Sequence, residues 1–186
     1  MATVYFTATS LDGFIADERN SLEWLFEVDR DNEGDTSFAN FVSRIGAMAM
    51  GATTYLWVLD HENLLEEPEK WRRYYGETPC WVFTHRELPR IPGIDLRFVQ
   101  DDVLPVHEEM CLAADGKDVW LVGGGDLVGQ FADEGLLDEI IVSIAPVTLG
   151  AGAPLLPRRM TTRQLELLDV RRDRQFVHLT YRVTRA

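Results

Sequence analysis

Cysteine is scarce in this sequence: Cys80 and Cys111 stand far apart, with no C-x-x-C spacing. That excludes a disulfide framework and a cysteine-built zinc site as organising features. The histidines His61, His107 and His178 are scattered without ligand spacing, so no metal is expected. No apolar run approaches the length of a membrane span, and the first residues lack a basic leader, so a cytoplasmic location is the expectation. Positive charge is also in short supply, with 18 Lys and Arg against 31 Asp and Glu and a net charge of −13. Such a surface repels nucleic-acid backbones and anionic membranes, and neither is expected as a partner. The same field opposes any anionic small molecule, which therefore needs a local site to hold it. There are no internal repeats and no low-complexity tracts. What is present is 186 residues, 46% of them apolar, enough to bury a sizeable core as one domain over 1–186.

The chain is organised around residues 119–127, Val-Trp-Leu-Val-Gly-Gly-Gly-Asp-Leu. The apolar run is too short for a helix and too continuous for a strand with one wet face, which predicts a buried strand. After the glycines, Leu127, Val128 and Phe131 fall at helical spacing, and Gly135 supplies a C-terminal stop. A strand feeding a helix through glycine gathers unpaired backbone N–H groups and the positive end of the helix dipole at one point. That arrangement suits a phosphate or diphosphate, although a plain tight turn has the same sequence pattern.

Around this centre, residues 3–9 are β-branched and aromatic and predict a first strand, running into Ser-Leu-Asp-Gly at 10–13, where Asp-Gly marks a turn. Residues 18–35 are acidic and irregular, yet Leu22, Trp24, Leu25 and Phe26 are too apolar for a free linker, so the segment reads as a loop folded over something. Phe38, Phe41, Val42 and Ile45 predict an amphipathic helix over 37–45. Residues 47–50 predict a short buried strand closed by Gly51, and 52–59 a second helix. Residues 60–77 are charged and aperiodic, with Trp71, Tyr74 and Tyr75 embedded, and read as an acidic surface insertion. Strands follow at 80–84 and 94–99, then a helix over 102–114 with Pro105 in its first turn. A further strand is expected at 140–144, a glycine-punctuated loop at 146–152, and a hairpin from strands 164–171 and 175–183. The pattern is α/β, with a mixed, mostly parallel sheet, an antiparallel C-terminal hairpin and flanking helices.

Five stretches occur together in one order: Ser-Leu-Asp-Gly-Phe-Ile-Ala at 10–16, Met-Gly-x-x-Thr-Tyr at 50–55, Val-Gly-Gly-Gly-Asp-Leu at 122–127, Gly-Leu-Leu-Asp-Glu at 135–139, and Pro-x-x-Leu-Gly-x-Gly at 146–152. In this combination the chain resembles the dihydrofolate-reductase-like superfamily. Within it, the nearer likeness is to the C-terminal reductase domain of bacterial bifunctional riboflavin-biosynthesis deaminase-reductases and their stand-alone relatives. The resemblance implies an NADPH-dependent reductase, with NADH possible, acting on a small molecule as a homodimer. It makes Gly123, Gly124 and Gly125 the diphosphate loop, with an unusual cis Gly–Gly bond, followed by Asp126 and Leu127 in the helix. Gly51, Thr53 and Thr54 become the second cofactor turn, and Thr84, His85 and Arg86 the turn at the adenosine ribose and its 2′-phosphate. Ala8, Ile15 and Ala16 match backbone positions flanking the nicotinamide.

One departure from the family pattern stands out. Where the family has a basic pair after the glycine, this chain has Ala52 and Thr53. Two cationic contacts to cofactor phosphate are lost, each of a kind worth about 1.5–3 kcal/mol, and NADPH preference then rests on Arg86. The chemistry implied is hydride transfer to a C=N or C=O carbon with delivery of a proton. Asp12, beside the nicotinamide by resemblance, is the first candidate for a catalytic carboxylate and equally a turn former. Asp35, sixteen residues before Gly51, is the second, and equally a helix cap. Trp24 either walls the substrate pocket or anchors its loop in the core. The native step implied is reduction of 5-amino-6-(5-phosphoribosylamino)uracil. The alternatives are a divergent dihydrofolate reductase and a nucleotide-binding homo-oligomer without catalysis.

Overall fold

Each long apolar run of the sequence becomes a strand of one eight-stranded sheet. The computed structural model describes residues 1–28 and 36–185. The strands are β1 (Thr3–Thr9), β3 (Ile45–Gly51), β4 (Cys80–Phe83), β5 (Leu96–Val99), β6 (Asp118–Gly123), β7 (Glu139–Ile144), β9 (Leu165–Asp173) and β10 (Phe176–Val183). Their order across the sheet is β5-β4-β3-β6-β1-β7-β10-β9. All neighbours from β5 to β7 are parallel, and β10 is antiparallel to both β7 and β9. The last strand therefore lies inside the sheet, and β9 forms the edge. Two short strands, β2 (Phe14–Ala16) and β8 (Ala153–Pro154), pair separately.

Alternation along the strands divides the core into two layers. On β3, Ala47 and Ala49 face one layer while Met48 and Met50 face the other. The first layer packs under α5 (Val103–Ala114) and α6 (Gly125–Asp133), which contribute Val106, Met110, Val128 and Phe131. At the start of β3, beside a register irregularity, Gly46 lies so close to the backbone of Ala114 that a Cβ there would run into it. The second layer packs under α2 (Thr36–Ser43), α3 (Ala52–His61) and α4 (Glu69–Tyr75), around Met48, Met50, Tyr55 and Trp120. A one-turn helix, α1 (Glu23–Phe26), lies within the segment expected as a folded-over loop.

Two expectations are corrected here. Ile45 completes a helical spacing in the sequence but begins β3, because the helix ends at Ser43 and the buried strand needs the residue. Residues 60–77 are not a surface insertion. They contain α4, whose Trp71 is 0% exposed and meets the Tyr75 ring at a tilt of 60° with centroids 4.7 Å apart. The charges that hid this helix are on its wet side, where Lys70 pairs with Glu67 and Arg72 with Glu77. Leu64, also buried, joins the same layer.

Trp71 is thus a buried member of the second core layer, and its removal tests that role. Trp71→Ala is expected to cost about 3–5 kcal/mol, lowering Tm by on the order of 10 °C, as read by thermal and urea denaturation. A dispensable insertion would lose no more than about 0.5 kcal/mol.

Candidate active site

β3 and β6 are parallel neighbours, and each ends in glycine and passes directly into a helix. Gly51 is the N-cap of α3 (φ −79°, ψ 163°), and Gly124 is the N-cap of α6 (φ −79°, ψ 176°). Neither helix has a side-chain cap, so the first-turn N–H groups of both remain unspent. The two ends nearly touch: a Cβ placed on Gly51 would lie 3.8 Å from the Gly124 nitrogen. Two helix dipoles therefore present their positive ends to one place, each equivalent to roughly half an elementary charge. The Gly123–Gly124 peptide bond is cis. In front of these termini opens a cavity of about 590 Å³, at the carboxyl ends of the parallel strands.

The three glycines of the run are required for different reasons. Gly123 has φ +144°, a conformation open to glycine and rarely to other residues. Gly124 caps the helix and faces the cavity beside Ile15. Gly125 is bare because the chain at Pro154 and Leu155 passes directly over it, and any Cβ would strike their carbonyl groups. Leu155 is held there by Tyr5, whose buried hydroxyl donates to its carbonyl at 3.0 Å, and by its own N–H to Gly13 at 2.9 Å. β2 and β8 thereby roof the cavity. Asp126, in the first turn of α6, would repel an anion, but Arg158 pairs with it at 3.1 Å and with Asp133 at 2.7 Å.

The cavity brings together Ile15, Ala16, Gly51, Thr53, Thr54, Thr84, His85, Gly123, Gly124, Gly125, Asp126 and Leu127. Ala8 and Arg86 are not in its wall. Ala8 sits on β1 opposite Ser143 of β7, and the Arg86 side chain is exposed. Trp24 is 7% exposed and packs with Val28, Ala145 and Phe176; it is not in the cavity wall, although Leu22, packed against the same cluster, is. Its place is that of a loop anchor. Asp35 lies outside the described residues.

Sequence reasoning missed several walls of the cavity. Gln100, Asp101 and Asp102 follow β5, and a signal for them was available: a parallel strand ending at Val99 puts the next residues on the ligand side of the sheet. Trp57 lies one helical turn beyond Thr53 and was legible only once α3 was known to start at the site. Its ring stacks against His61 at 4.5 Å and Phe26 at 6.2 Å, which places His61 in an aromatic stack. Pro154 and Pro157, from the roof, have no signal in the local sequence.

This architecture is the dihydrofolate reductase fold: a dihydrofolate reductase from Enterococcus faecalis complexed with NADP(H) superposes with TM-score 0.58 over 99% of this chain and 97% of that one, at 13% identity. More narrowly, the chain belongs to the RibD C-terminal domain family, whose model matches residues 3–179. This is a family of riboflavin-pathway reductase domains. The chain is similar to the uncharacterized protein YwjB of Bacillus subtilis (strain 168), with 30% identity over 96% of both chains. It is also similar to a candidate riboflavin biosynthesis protein from Shewanella sp. PV-4, with 26% identity and TM-score 0.80 over 100% of both chains.

Asp12 has a geometry at odds with proton delivery. Its carboxylate accepts from the Ser10 hydroxyl at 2.6 Å, the Gly150 N–H at 2.7 Å and the Leu149 N–H at 3.1 Å, and it is not in the cavity wall. The Ser10 hydroxyl, then the Gly150 N–H, hold its pKa down to about 2 from 3.8. It is therefore ionised at neutral pH and clamps residues 10–14 to residues 147–150, which fixes the start of β2. Because its folded pKa is the lower one, the clamp is complete above 3.8 and is lost as pH falls through about 2. The urea midpoint of the wild type should fall across that interval more steeply than that of Asp12→Asn. Superimposable pH dependences would remove the clamp.

Proposed function

We propose that this chain is an oxidoreductase that uses a reduced nicotinamide dinucleotide to reduce a C=N or C=O carbon of a small organic substrate. The observation that carries the reading is the meeting of two uncapped helix N-termini at Gly51 and Gly124, inside the cavity at the carboxyl ends of β3 and β6. A diphosphate fits that donor set. It needs several N–H groups converging from more than one side, a close backbone approach and no competing cap, and all three are present.

In this reading the N–H groups of Thr53 and Thr54 on α3 and of Asp126 and Leu127 on α6 hold the diphosphate, with the Thr54 hydroxyl beside Gly123. The Arg158 pairing keeps Asp126 from opposing it. Ile15, Ala16, Leu22, Trp57 and Pro154 form the less polar end of the cavity and would flank the nicotinamide. When bound, the dinucleotide would supply the hydride. The protein's part is to hold that ring and the substrate in register and to exclude water from between them. Asp12 acts through β2, as a positioning residue. Family membership favours a riboflavin-pathway pyrimidine, 5-amino-6-(5-phosphoribosylamino)uracil, as the substrate to try first.

Quenching of tryptophan fluorescence on titration with NADPH and with NADH tests the reading without any substrate. At least one should bind with saturation, and Gly51→Ala should weaken it roughly tenfold or more while leaving Tm unchanged. Its Cβ meets only ordinary contacts in the protein but stands between the two helix ends, and loss of even one charge-assisted hydrogen bond is worth about that much. No quenching by either dinucleotide would overturn the proposal, as would an unaltered Kd in the variant.

A further inference from the structure

Resting on the reading just given, we propose that the cavity selects the dinucleotide whose adenosine ribose carries a free 2′-hydroxyl, so that NADH is the preferred reductant, and that Asp101 and Asp102 make the selection. The cavity runs in two directions from the paired helix ends. One way lie Ile15, Leu22, Trp57 and Pro154, an apolar end suited to water-free hydride transfer. The other way lie Thr84, His85, Gln100, Asp101 and Asp102, after β4 and β5. A dinucleotide seated by its diphosphate with its nicotinamide at the apolar end lays its adenosine ribose at the second.

What that end offers is acceptors. Asp101 and Asp102 are exposed, and neither carboxylate has a hydrogen bond or ion pair among the described residues. Asp102 is the N-cap of α5 (φ −61°, ψ 153°), yet its side chain makes no capping bond, so it is not consumed by its own helix. The Thr84 hydroxyl is already committed: it accepts from the Arg86 N–H at 2.9 Å and donates to the Arg86 carbonyl. Free carboxylates at a ribose accept its hydroxyl protons, as acidic residues do at NAD sites of other folds, and repel a 2′-phosphate.

The cations do not offset this. Among the described residues no Lys or Arg lines the cavity. Arg158 is engaged by Asp126 and Asp133. Arg86 is exposed and outside the wall, and it sets one positive charge against two negative ones. The N-terminus of α5 adds roughly half a positive charge at most. A phosphate dianion at this end therefore meets a net negative site on a protein of net charge −13.

The test compares Kd for NADH and NADPH by tryptophan-fluorescence quenching, in wild type, Asp101→Asn/Asp102→Asn and Arg86→Ala. NADH should bind at least roughly tenfold more tightly than NADPH at low ionic strength, and the gap should narrow as salt is added. The double variant should close the gap about tenfold, mainly by tightening NADPH, while asparagine preserves the N-cap preference and the fold. Arg86→Ala should leave the ratio within about twofold. NADPH binding as tightly as NADH would overturn the inference and leave the reductase reading intact, and so would a ratio unmoved in the double variant. Binding of neither dinucleotide would overturn both.

Discussion

The site depends on one constraint: two parallel strands side by side must each release a helix at the same height. β3 and β6 meet it with Met50 opposite Gly123, after a register irregularity between Ala49 and Met50. A slip of one residue would turn every side chain of a strand to the other layer. It would also carry one helix N-terminus out of line with the other. The two-layer core enforces the register, since Ala49 and Leu121 fit beneath α5 and α6 while Met50 and Trp120 fit beneath α3 and α4. The convergence of the two helix N-termini is thus a by-product of how the core is packed.

A site made of backbone N–H groups has an electrostatic consequence. Helix ends supply partial charges that fall off within a turn, so each carboxylate near them matters. The chain deals with its acids in two different ways. Asp126 is neutralised by Arg158, and the same arginine covers Gly129, where a Cβ would run into its side chain. Asp101 and Asp102 have no hydrogen-bond or ion-pair partner among the described residues. Positive helix ends at α3 and α6 and the carboxylates of Asp101 and Asp102 therefore line one cavity, a polarity that a uniformly acidic surface would not produce.

How far the sequence foretold this varied with the kind of signal. Central strands were legible nearly to the residue, as at Thr3–Thr9 and Glu139–Ile144, because short stretches dense in β-branched and aromatic residues leave few alternatives. The glycine turn was legible as a strand passing into a helix, yet Gly125 is glycine because the roof passes over it. No local pattern could say so, since Pro154 and Leu155 arrive from thirty residues away. α4 was missed because a short helix whose wet side is mostly charge, with Tyr74 exposed among it, has no visible period, and its single buried Trp71 counts for little in a window average. The acidic pair after β5 was missed for the opposite reason: Gln-Asp-Asp looks like any helix cap until the strand before it is known to be parallel.

Asp12 shows why residue type and neighbourhood do not fix a role. A carboxylate in a turn beside a reductase cavity is what a proton donor would look like in sequence. Its three donors make it something else. Each hydrogen bond from Ser10, Leu149 and Gly150 favours the charged form, and the more tightly an acid is held ionised, the poorer a proton source it becomes at neutral pH. Those same bonds tie residues 10–14 to residues 147–150, and the Leu155 N–H, given to Gly13, ties the roof to the same turn. Ile15 and Ala16 thus take their positions in the cavity wall from a buried-serine turn and an anion clamp outside it. The shape of this end of the cavity is thus delegated to a pair of hydrogen-bonded loops, and a carboxylate that the sequence alone would offer as an acid serves as their clamp.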